Sequence, residues 1–354
     1  SGDSSGTNDT ASETMNAAKT VTANYQATVQ VMVGTNPTGR SFTVDGSPFT
    51  STQIFTWDQG SSHTIATASP QSGGAGRQFA WTSWSDAGAI SHSVAPTVNT
   101  TYTANFTTQF SLTVSSNPPG GGVTTPSGTA FQDSGTVVPI SETPNAGFRF
   151  TGWSGDASGT NDTTSVAMNA AKTVTASYQA TVQVTVGTNP PGRSFTVDGS
   201  PFTSTQIFTW EQGSSHTIST TSPQSGTAGT QYVWSNWSDA GAIYHSVAPT
   251  VNTTYTANFT TQFSLTVSSN PPGGGVTTPS GTAFHDSGTV VPISETPNAG
   301  FRFTGWSRDA SGTNDTTSVT MNAVKTVTAN YQATVQVTVE TNPLGRSFTV
   351  NGSP

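Results

Sequence analysis

The sequence predicts a mainly β protein, a tandem array of small antiparallel β modules with little or no helix. Short segments of alternating apolar and polar residues, such as TVQVTV at 181–186, are separated by Pro and Gly clusters every 8–15 residues, which is typical of short strands joined by turns. The hexapeptide SGTNDT begins at Ser5, Ser158 and Ser311, a period of 153 residues. Repetition at a fixed period indicates modules that stack on their neighbours.

Each period contains two modules, a longer A module and a shorter B module. Both begin with an alternating strand and Asn-Pro-x-Gly, and both later carry an aromatic residue three positions before Trp-Ser. Half a module has an incomplete core, so we expect adjoining modules or chains to complete both ends. The predicted order is the C-terminal part of a B module at 1–27, A at 28–107, B at 108–180, A at 181–260, B at 261–333, and the N-terminal part of an A module at 334–354.

No Gly/Ser-rich or Pro-rich linker separates the modules. Module B ends in TVTASYQA and the next A begins at once with TVQVTV, while A ends in TYTANFT and B begins with TQFSLTV. A last strand that continues directly into the next first strand leaves little hinge freedom. The sequence therefore predicts a stiff, rod-shaped array.

Charge is scarce and thinly spread. Charged residues make up 8% of the 354 residues, the net charge is −8, and no acidic or basic block occurs. Because phosphate binding needs clustered Lys and Arg, nucleic acid is not expected as a partner. Hydrophobic residues make up only 31%, but they include eight Trp and eighteen Phe, so a few large aromatics must supply many small cores. Cysteine is absent, and no apolar run approaches the roughly 20 residues that a membrane helix needs.

The B module resembles a known repeat. Its matching segments are SSNPPGGGV at 115–123, ETPNAGFRFTGWSGDASG at 142–159 and MNAAKTVTASY at 168–178. These segments are similar to the divergent internalin B-type repeat of bacterial surface proteins. The A module departs from it through an Asp-Gly insertion and NWSDAGA at 236–242. The resemblance implies β-grasp-like or Ig-like modules strung in tandem on secreted proteins, without catalytic activity.

The aromatic residues are the predicted cores. Phe148 and Phe150 are two positions apart and share a face of one strand, whereas Trp153 reaches that face only if Gly152 forms a β-bulge. The alternative is an exposed Trp that serves as a carbohydrate platform. The predicted core residues are Phe148, Phe150, Trp153, Tyr178, Trp234, Trp237, Tyr255, Phe259, Phe301, Phe303 and Trp306.

Comparison of the internal copies suggests which residues are turns. The hairpin pairs are Asp45–Gly46, Asp198–Gly199 and Asn351–Gly352. Asp and Asn both tolerate the left-handed conformation of a type I′ turn, so the exchange indicates a turn rather than a catalytic acid. Gly155 becomes Arg308 in the second B module, which predicts that this position does not require a positive φ.

Catalytic and metal-binding patterns are weak. None of the five histidines, which include His63 and His92, lies near an Asp/Glu pair in the sequence, so no hydrolase and no cofactor are expected. The loop at 155–162 offers oxygen ligands of the kind that calcium prefers, although Asx/Ser/Gly loops are usually only turns. The weak calcium candidates are Asp156, Asn161, Asp162, Asp309 and Asp315.

The sequence is compatible with two covalent modifications, an isopeptide bond and N-glycosylation. The single lysine of each B module, Lys172 or Lys325, could form an isopeptide bond with the help of Glu142 or Glu295, although a lysine at a strand edge is the simpler interpretation. Asn-x-Ser/Thr sequons are the stronger indication. The sequons that we expect to be accessible begin at Asn99, Asn161, Asn252 and Asn314.

These patterns together predict an extracellular or cell-surface structural protein that forms a fibre, stalk or filament. Its expected partner is itself, through neighbouring modules or chains that pair along exposed strand edges. The alternative is an adhesin array that binds a glycan or a host protein through exposed aromatic, Thr-rich faces.

Overall fold

The computed structural model describes residues 4–343 and 345–353, and it divides into two units, Ser1–Ala180 and Thr181–Pro354. The described residues contain no helix, and 58% of them are in strands. The predicted mainly β class is therefore confirmed. The boundary between the units coincides with the predicted boundary between a B module and the next A module.

The A module of the first unit is a two-layer β-sandwich. One sheet has the strand order β4-β1-β9-β7-β6, and the other has the order β3-β2-β5-β8. The strands are β1 (Thr28–Asn36), β2 (Phe42–Val44), β3 (Ser47–Phe49), β4 (Gln53–Asp58), β5 (His63–Thr67), β6 (Gln71–Ser72), β7 (Arg77–Trp84), β8 (Ser91–Val94) and β9 (Thr100–Asn117).

The B module of the first unit is a smaller version of the same sandwich. It lacks counterparts of β3 and β6, and its sheets have the orders β11-β9-β15-β13 and β10-β12-β14. Its further strands are β10 (Gly122–Thr125), β11 (Gly128–Asp133), β12 (Val137–Pro144), β13 (Phe148–Gly155), β14 (Thr163–Ala167) and β15 (Lys172–Asn189).

The second unit repeats both sandwiches. Its A module uses the second half of β15, and its B module uses the second half of β23. The further strands are β16 (Phe195–Val197), β17 (Ser200–Phe202), β18 (Gln206–Glu211), β19 (His216–Thr220), β20 (Gln224–Ser225), β21 (Thr230–Trp237), β22 (Tyr244–Val247), β23 (Thr253–Asn270), β24 (Gly275–Thr278), β25 (Gly281–Asp286), β26 (Val290–Pro297), β27 (Phe301–Arg308), β28 (Thr316–Thr320) and β29 (Lys325–Ala333).

The larger sheet of each module is mixed rather than purely antiparallel. In the first A module β1 is parallel to β9, and in the first B module β9 is parallel to β15. Parallel neighbours need a crossover connection, and here the strands of the smaller sheet provide part of it. The first and last strands of every module therefore meet at the centre of its larger sheet.

A β-bulge brings the tryptophan of the B module into the core. The pairing of β13 with β15 shifts register between Phe150 and Gly152, where Gly152 has a φ of 148°. The bulge turns Trp153 onto the face of Phe150, and the two ring centroids are 5.2 Å apart. The same shift occurs after Trp81 in β7, Trp234 in β21 and Phe303 in β27.

The prediction about Gly155 is wrong. Gly155 has a φ of 88° and Arg308 has a φ of 79°, so both residues adopt the left-handed conformation. The pairing of Arg308 with Val327 and the hydrogen bond from the Asp309 amide to the Thr326 carbonyl (3.0 Å) hold the backbone in this shape. The position therefore demands a positive φ, and the arginine accepts it at a conformational cost.

Candidate functional site

All eight tryptophans are buried or half-buried. Trp153 is 6% exposed, and its Nε1 donates to the carbonyl of Asn161 at 2.8 Å. Trp237 is fully buried, and its Nε1 lies 3.3 Å from the carbonyl of Ile243. No tryptophan is therefore free to act as an exposed carbohydrate platform.

The other predicted core aromatics lie in or against the module cores. Five are buried, namely Tyr178, Trp237, Tyr255, Phe259 and Trp306. Five are half-buried and pack against a core, namely Phe148, Phe150, Trp234, Phe301 and Phe303. These residues therefore form the module cores or pack against them.

The structure assembles a Ser–His–Asp set that the sequence does not reveal, because the aspartate is 18 residues from the histidine. In the first A module, Oγ of Ser61 lies 2.9 Å from Nε2 of His63, and Nδ1 of His63 lies 2.7 Å from Oδ2 of Asp45. The imidazole also stacks on Trp57, with ring centroids 3.9 Å apart. The second A module repeats this arrangement with Ser214, His216, Asp198 and Trp210.

The hydrogen bonds around Ser61 oppose nucleophilic catalysis. The Ser61 hydroxyl donates to the carbonyl of Asp58 at 2.7 Å, so its proton is not offered to the imidazole, as a general base requires. The Gly60 amide donates to the Pro96 carbonyl at 2.9 Å and the Ser61 amide to the Asp58 carbonyl at 3.0 Å. These two amides are therefore not available to stabilise an oxyanion. The set instead fastens the β2–β3 hairpin to β5.

A second pair of histidines also joins loop to strand. Nδ1 of His92 lies 2.7 Å from the carbonyl of Ala89, and its Nε2 lies 2.8 Å from Oδ2 of Asp86. Both ring nitrogens therefore contact oxygen atoms of the loop that precedes β8. Burial opposes ionisation of Asp86, but hydrogen bonds from His92 and the Gly88 amide outweigh it and lower its pKa. His245 repeats this arrangement with Asp239.

The hairpin turns and sequons have simple environments. Asp45, Asp198 and Asn351 have φ values of 52°, 48° and 51°, as a type I′ turn requires. The four sequon asparagines Asn99, Asn161, Asn252 and Asn314 are exposed. Oδ1 of Asn99 accepts a hydrogen bond from the Gln30 amide at 2.8 Å.

The calcium candidates do not converge on one centre. Asp156 accepts hydrogen bonds from the Thr173 amide (2.7 Å) and from Nζ of Lys172 (3.1 Å), and these two bonds lower its pKa, the amide more strongly. The carboxylate of Asp162 instead adjoins Glu142. In the second B module, Asp309 accepts a hydrogen bond from the Thr326 amide, whereas Asp315 adjoins Glu295. Among the described residues, no group of three or more His, Asp or Glu could hold a metal ion.

The same ion pair disfavours the isopeptide alternative. Lys172 contacts an exposed, ionised aspartate, whereas amide formation needs an uncharged amine and a protonated acid. Lys325 lies 3.5 Å from Asp309 in the second B module. These lysines therefore have the ordinary role of surface ion pairs.

The junction between A and B within one unit is the most elaborate arrangement outside the cores. Strand β9 is shared by both modules over 18 residues. At Gln109 and Phe110 it pairs with β7 of the A module and with β11 of the B module. Strand β23 plays the same part in the second unit.

A chain of side-chain hydrogen bonds crosses this junction. Nε2 of Gln78 donates to Oε1 of Gln109 at 2.8 Å, and Nε2 of Gln109 donates to Oδ1 of Asp133 at 2.8 Å. The chain connects β7, β9 and β11 and so ties the two modules together. Gln231, Gln262 and Asp286 form the same chain in the second unit.

A close backbone approach completes the junction. The carbonyl of Gly76 accepts a hydrogen bond from the Ser111 amide at 2.9 Å. Gly76 has a φ of 67°, and a Cβ added there would lie 2.6 Å from Cβ of Ala171 in the B module. Only glycine permits this contact. Gly229 approaches Ser264 and Val324 in the same way.

The outward face of β9 is polar and uncharged. Its buried residues, Tyr102, Ala104, Phe106, Leu112 and Val114, all lie on the inward face, whereas its outward residues are at least partly exposed over both modules. The outward residues are Thr101, Thr103, Asn105, Thr107, Gln109, Ser111, Thr113 and Ser115. The face thus offers hydroxyl and amide groups without formal charge.

These observations define a class of protein, a tandem-repeat protein of small β-sandwiches joined by shared strands. Residues 112–182 and 265–335 match the divergent InlB B-repeat domain, so the predicted resemblance of the B modules is confirmed. Repeats of this kind are typical of bacterial surface proteins.

Other comparisons add little. No curated protein sequence matches the chain. Among solved structures, the Bacillus anthracis TIE protein is similar over 87% of this chain and 68% of its own, with 9% identity and a TM-score of 0.24. The described residues contain no helix with the length and apolarity to cross a membrane.

Proposed function

We propose that the chain is a structural part of an extracellular or cell-surface protein, where its modules form a fibre, stalk or filament. The observation that carries this proposal is the A–B junction. Three features restrict bending between the modules. They are the strand that both modules share, the row of side-chain hydrogen bonds across the junction, and the close contact at Gly76. A spacer needs this restriction, whereas a catalyst or a flexible linker does not.

The proposal includes the absence of enzymatic activity and of nucleic-acid binding. The proton of Ser61 is directed at a carbonyl rather than at His63, and charge is sparse along the whole chain. The expected partners are further modules or copies of the same chain.

The junction can be tested with a matched pair of glycine variants. Gly76→Ala adds a methyl group against Ala171, whereas Gly39→Ala adds one to a residue of similar φ (82°) with open space around it. Residual dipolar couplings of the full chain should report one alignment tensor for the A and B modules of the first unit. We expect Gly76→Ala, but not Gly39→Ala, to separate the two tensors. Independent tensors in the unmodified protein would contradict the proposal.

Surface display needs a separate test on cells that produce the protein. Brief protease treatment of intact cells should release peptides of this chain, with a cytoplasmic protein as the control for lysis. Peptides that appear only after lysis would contradict an extracellular role.

The Thr-rich outward face of β9 favours one alternative, an adhesin that binds a neutral glycan. Hydroxyl and amide groups without charge suit a neutral polyhydroxylated ligand. Retention on glycan beads that Thr103→Lys abolishes, without a change in melting temperature, would favour this alternative over a purely structural role.

A further inference from the structure

Each complete B module contains a buried cluster of oxygen atoms that lack partners. Glu142 on β12 is 7% exposed, and neither of its carboxylate oxygens has a hydrogen-bond partner. The hydroxyl of Tyr178 on β15 is also unpartnered, and this residue is 6% exposed. Both side chains are therefore more than nine-tenths buried with their hydrogen-bonding capacity unused, which is costly.

The backbone holds this cluster in place. The amide of Glu142 donates to the carbonyl of Asp162 at 3.0 Å, which fixes the loop before β14 against β12. The ring of Tyr178 lies against Gly121 and Gly122, and a Cβ added to Gly122 would lie 2.3 Å from the ring. The two glycines thus make the room in which the tyrosine hydroxyl reaches Glu142.

Two carboxyl groups and one hydroxyl meet in this cluster. The carboxylate of Asp162 adjoins that of Glu142, and the hydroxyl of Tyr178 adjoins it from β15. Burial is the main cause that raises the pKa of Glu142, Asp162 raises it further, and Tyr178 partly offsets the rise. Lys172, the single lysine of the module, pairs with Asp156 instead. Two neighbouring carboxyl groups require either a shared proton or a counter-ion.

We propose that each complete B module binds one calcium ion between the Glu142 carboxylate, the Tyr178 hydroxyl and the Asp162 carboxylate. Calcium takes oxygen ligands, accepts a bidentate carboxylate and tolerates irregular geometry. Its double charge balances the two carboxylates, and the exposed side of Asp162 leaves room for water ligands. The second B module offers the same set in Glu295, Tyr331 and Asp315.

The bound ion would join three parts of the sandwich. Glu142 belongs to the smaller sheet, Tyr178 to the larger sheet, and Asp162 to the loop between them. The site is confined to B modules, because Glu142 and Glu295 are the only buried acidic residues among those that the structure describes. This inference is independent of the proposed structural role.

Calcium stoichiometry of the full chain tests the proposal. After removal of metal with EDTA at pH 7, equilibrium dialysis against calcium should give two ions per chain. Glu142→Gln should leave one, and the double variant Glu142→Gln/Glu295→Gln should leave none. Asp156→Asn/Asp309→Asn is the matched control and should keep both, because Asp156 and Asp309 already pair with lysines.

A conservative variant guards against misfolding. Tyr178→Phe/Tyr331→Phe removes only the two hydroxyls and should raise the Kd for calcium, with an unchanged circular dichroism spectrum. If the unmodified chain binds no calcium, the proposal is wrong and a proton satisfies the cluster. If the double glutamine variant folds and keeps two ions, the proposal is also wrong, because the ions bind elsewhere.

Discussion

Trp153 offers a direct measurement of how much one aromatic residue stabilises a module. The substitution Trp153→Ala removes a side chain that is 6% exposed, its contact with Phe150 at 5.2 Å between centroids, and its hydrogen bond to the carbonyl of Asn161. Trp153→Phe is the milder control, because it keeps an aromatic ring but loses the Nε1 donor.

The expected cost is large compared with the stability of one module. Truncation of a buried Trp to Ala typically costs about 3–5 kcal/mol, and the lost hydrogen bond lies within that figure. A domain of roughly 70 residues has a total stability of about 4–11 kcal/mol. The module at 108–180 should therefore lose between about a quarter and all of its stability.

The molecule contains its own control. The module at 261–333 differs from the module at 108–180 at five positions, so peptides from the two copies are distinguishable where they include one of these positions: Gln132/His285, Gly155/Arg308, Ala167/Thr320, Ala171/Val324 and Ser177/Asn330. Hydrogen–deuterium exchange with mass spectrometry can then follow both modules in one sample. We expect exchange in 108–180 to accelerate roughly 10²-fold or more, at about 1.4 kcal/mol per factor of ten, while 261–333 stays unchanged.

Three outcomes are informative. Unchanged exchange in 108–180 would refute the assignment of Trp153 as a residue that the core depends on. Equal acceleration in both copies would refute the independence of the two modules. A loss in Trp153→Phe as large as in Trp153→Ala would show that the hydrogen bond, not the buried ring, carries the effect.

Four further predictions concern other residues. Arg308→Gly should stabilise its module by about 1 kcal/mol, because a left-handed L-residue costs roughly 1–2 kcal/mol and the entropy of glycine in the unfolded chain returns part of the gain; an unchanged urea midpoint would contradict this. The hydrogen bond from His63 lowers the pKa of Asp45 below 3.8, so the stabilisation that ionised Asp45 provides is full above that value, and the A module should unfold at a lower urea concentration as the pH falls below about 4. Burial raises the pKa of Glu142 above 4.5, so the stability of the fold with protonated Glu142 is full below that value and is lost as the pH rises. The metal-free B module should therefore melt at a higher temperature at pH 4.5 than at pH 7. Glu142→Gln should remove this difference. A fluorophosphonate probe should leave Ser61 unlabelled under conditions that label an authentic serine hydrolase, and a labelled Ser61 would contradict the structural role of its hydrogen bonds.

Local sequence patterns were sufficient for the features that depend on a few consecutive residues. The Asp-Gly pairs predict tight turns because these residues tolerate a left-handed backbone. The spacing of Phe150, Gly152 and Trp153 predicts a bulge, because Trp153 can reach the core face of the strand only if the strand contains one. The structure contains that bulge at Gly152.

Features that depend on distant partners were not predictable in this way. The parallel pairing of β1 with β9 joins residues about 70 positions apart, and no local pattern indicates which strands meet. The carboxylate of Asp45 stabilises its own turn and also binds His63 and the Thr64 amide. Exchange of Asp for Asn between copies revealed the first role and concealed the second.

The comparison of copies failed at Gly155 for a related reason. The prediction for Gly155 rested on the premise that a residue with a Cβ replaces glycine only where φ is negative. The Cβ of a residue at 155 would lie 2.4 Å from the carbonyl oxygen of Thr173, yet Arg308 keeps a φ of 79° at the equivalent position. A single strained residue is tolerated when the surrounding strand pairing fixes the backbone.

The partial modules show why the complete module is the unit that folds. Tyr25 and Tyr178 end nearly the same segment, yet Tyr25 is 93% exposed and Tyr178 is 6% exposed. Met15 and Met168 differ in the same way, at 74% and 0%. The difference lies in the strands that cover Tyr178 and Met168, which come from the first half of the B module. Because the first and last strands meet at the centre of the larger sheet, neither half can bury its own aromatic residues. A B module cut inside its sequence should therefore remain unfolded, whereas cuts at the module boundaries preserve every residue of its core.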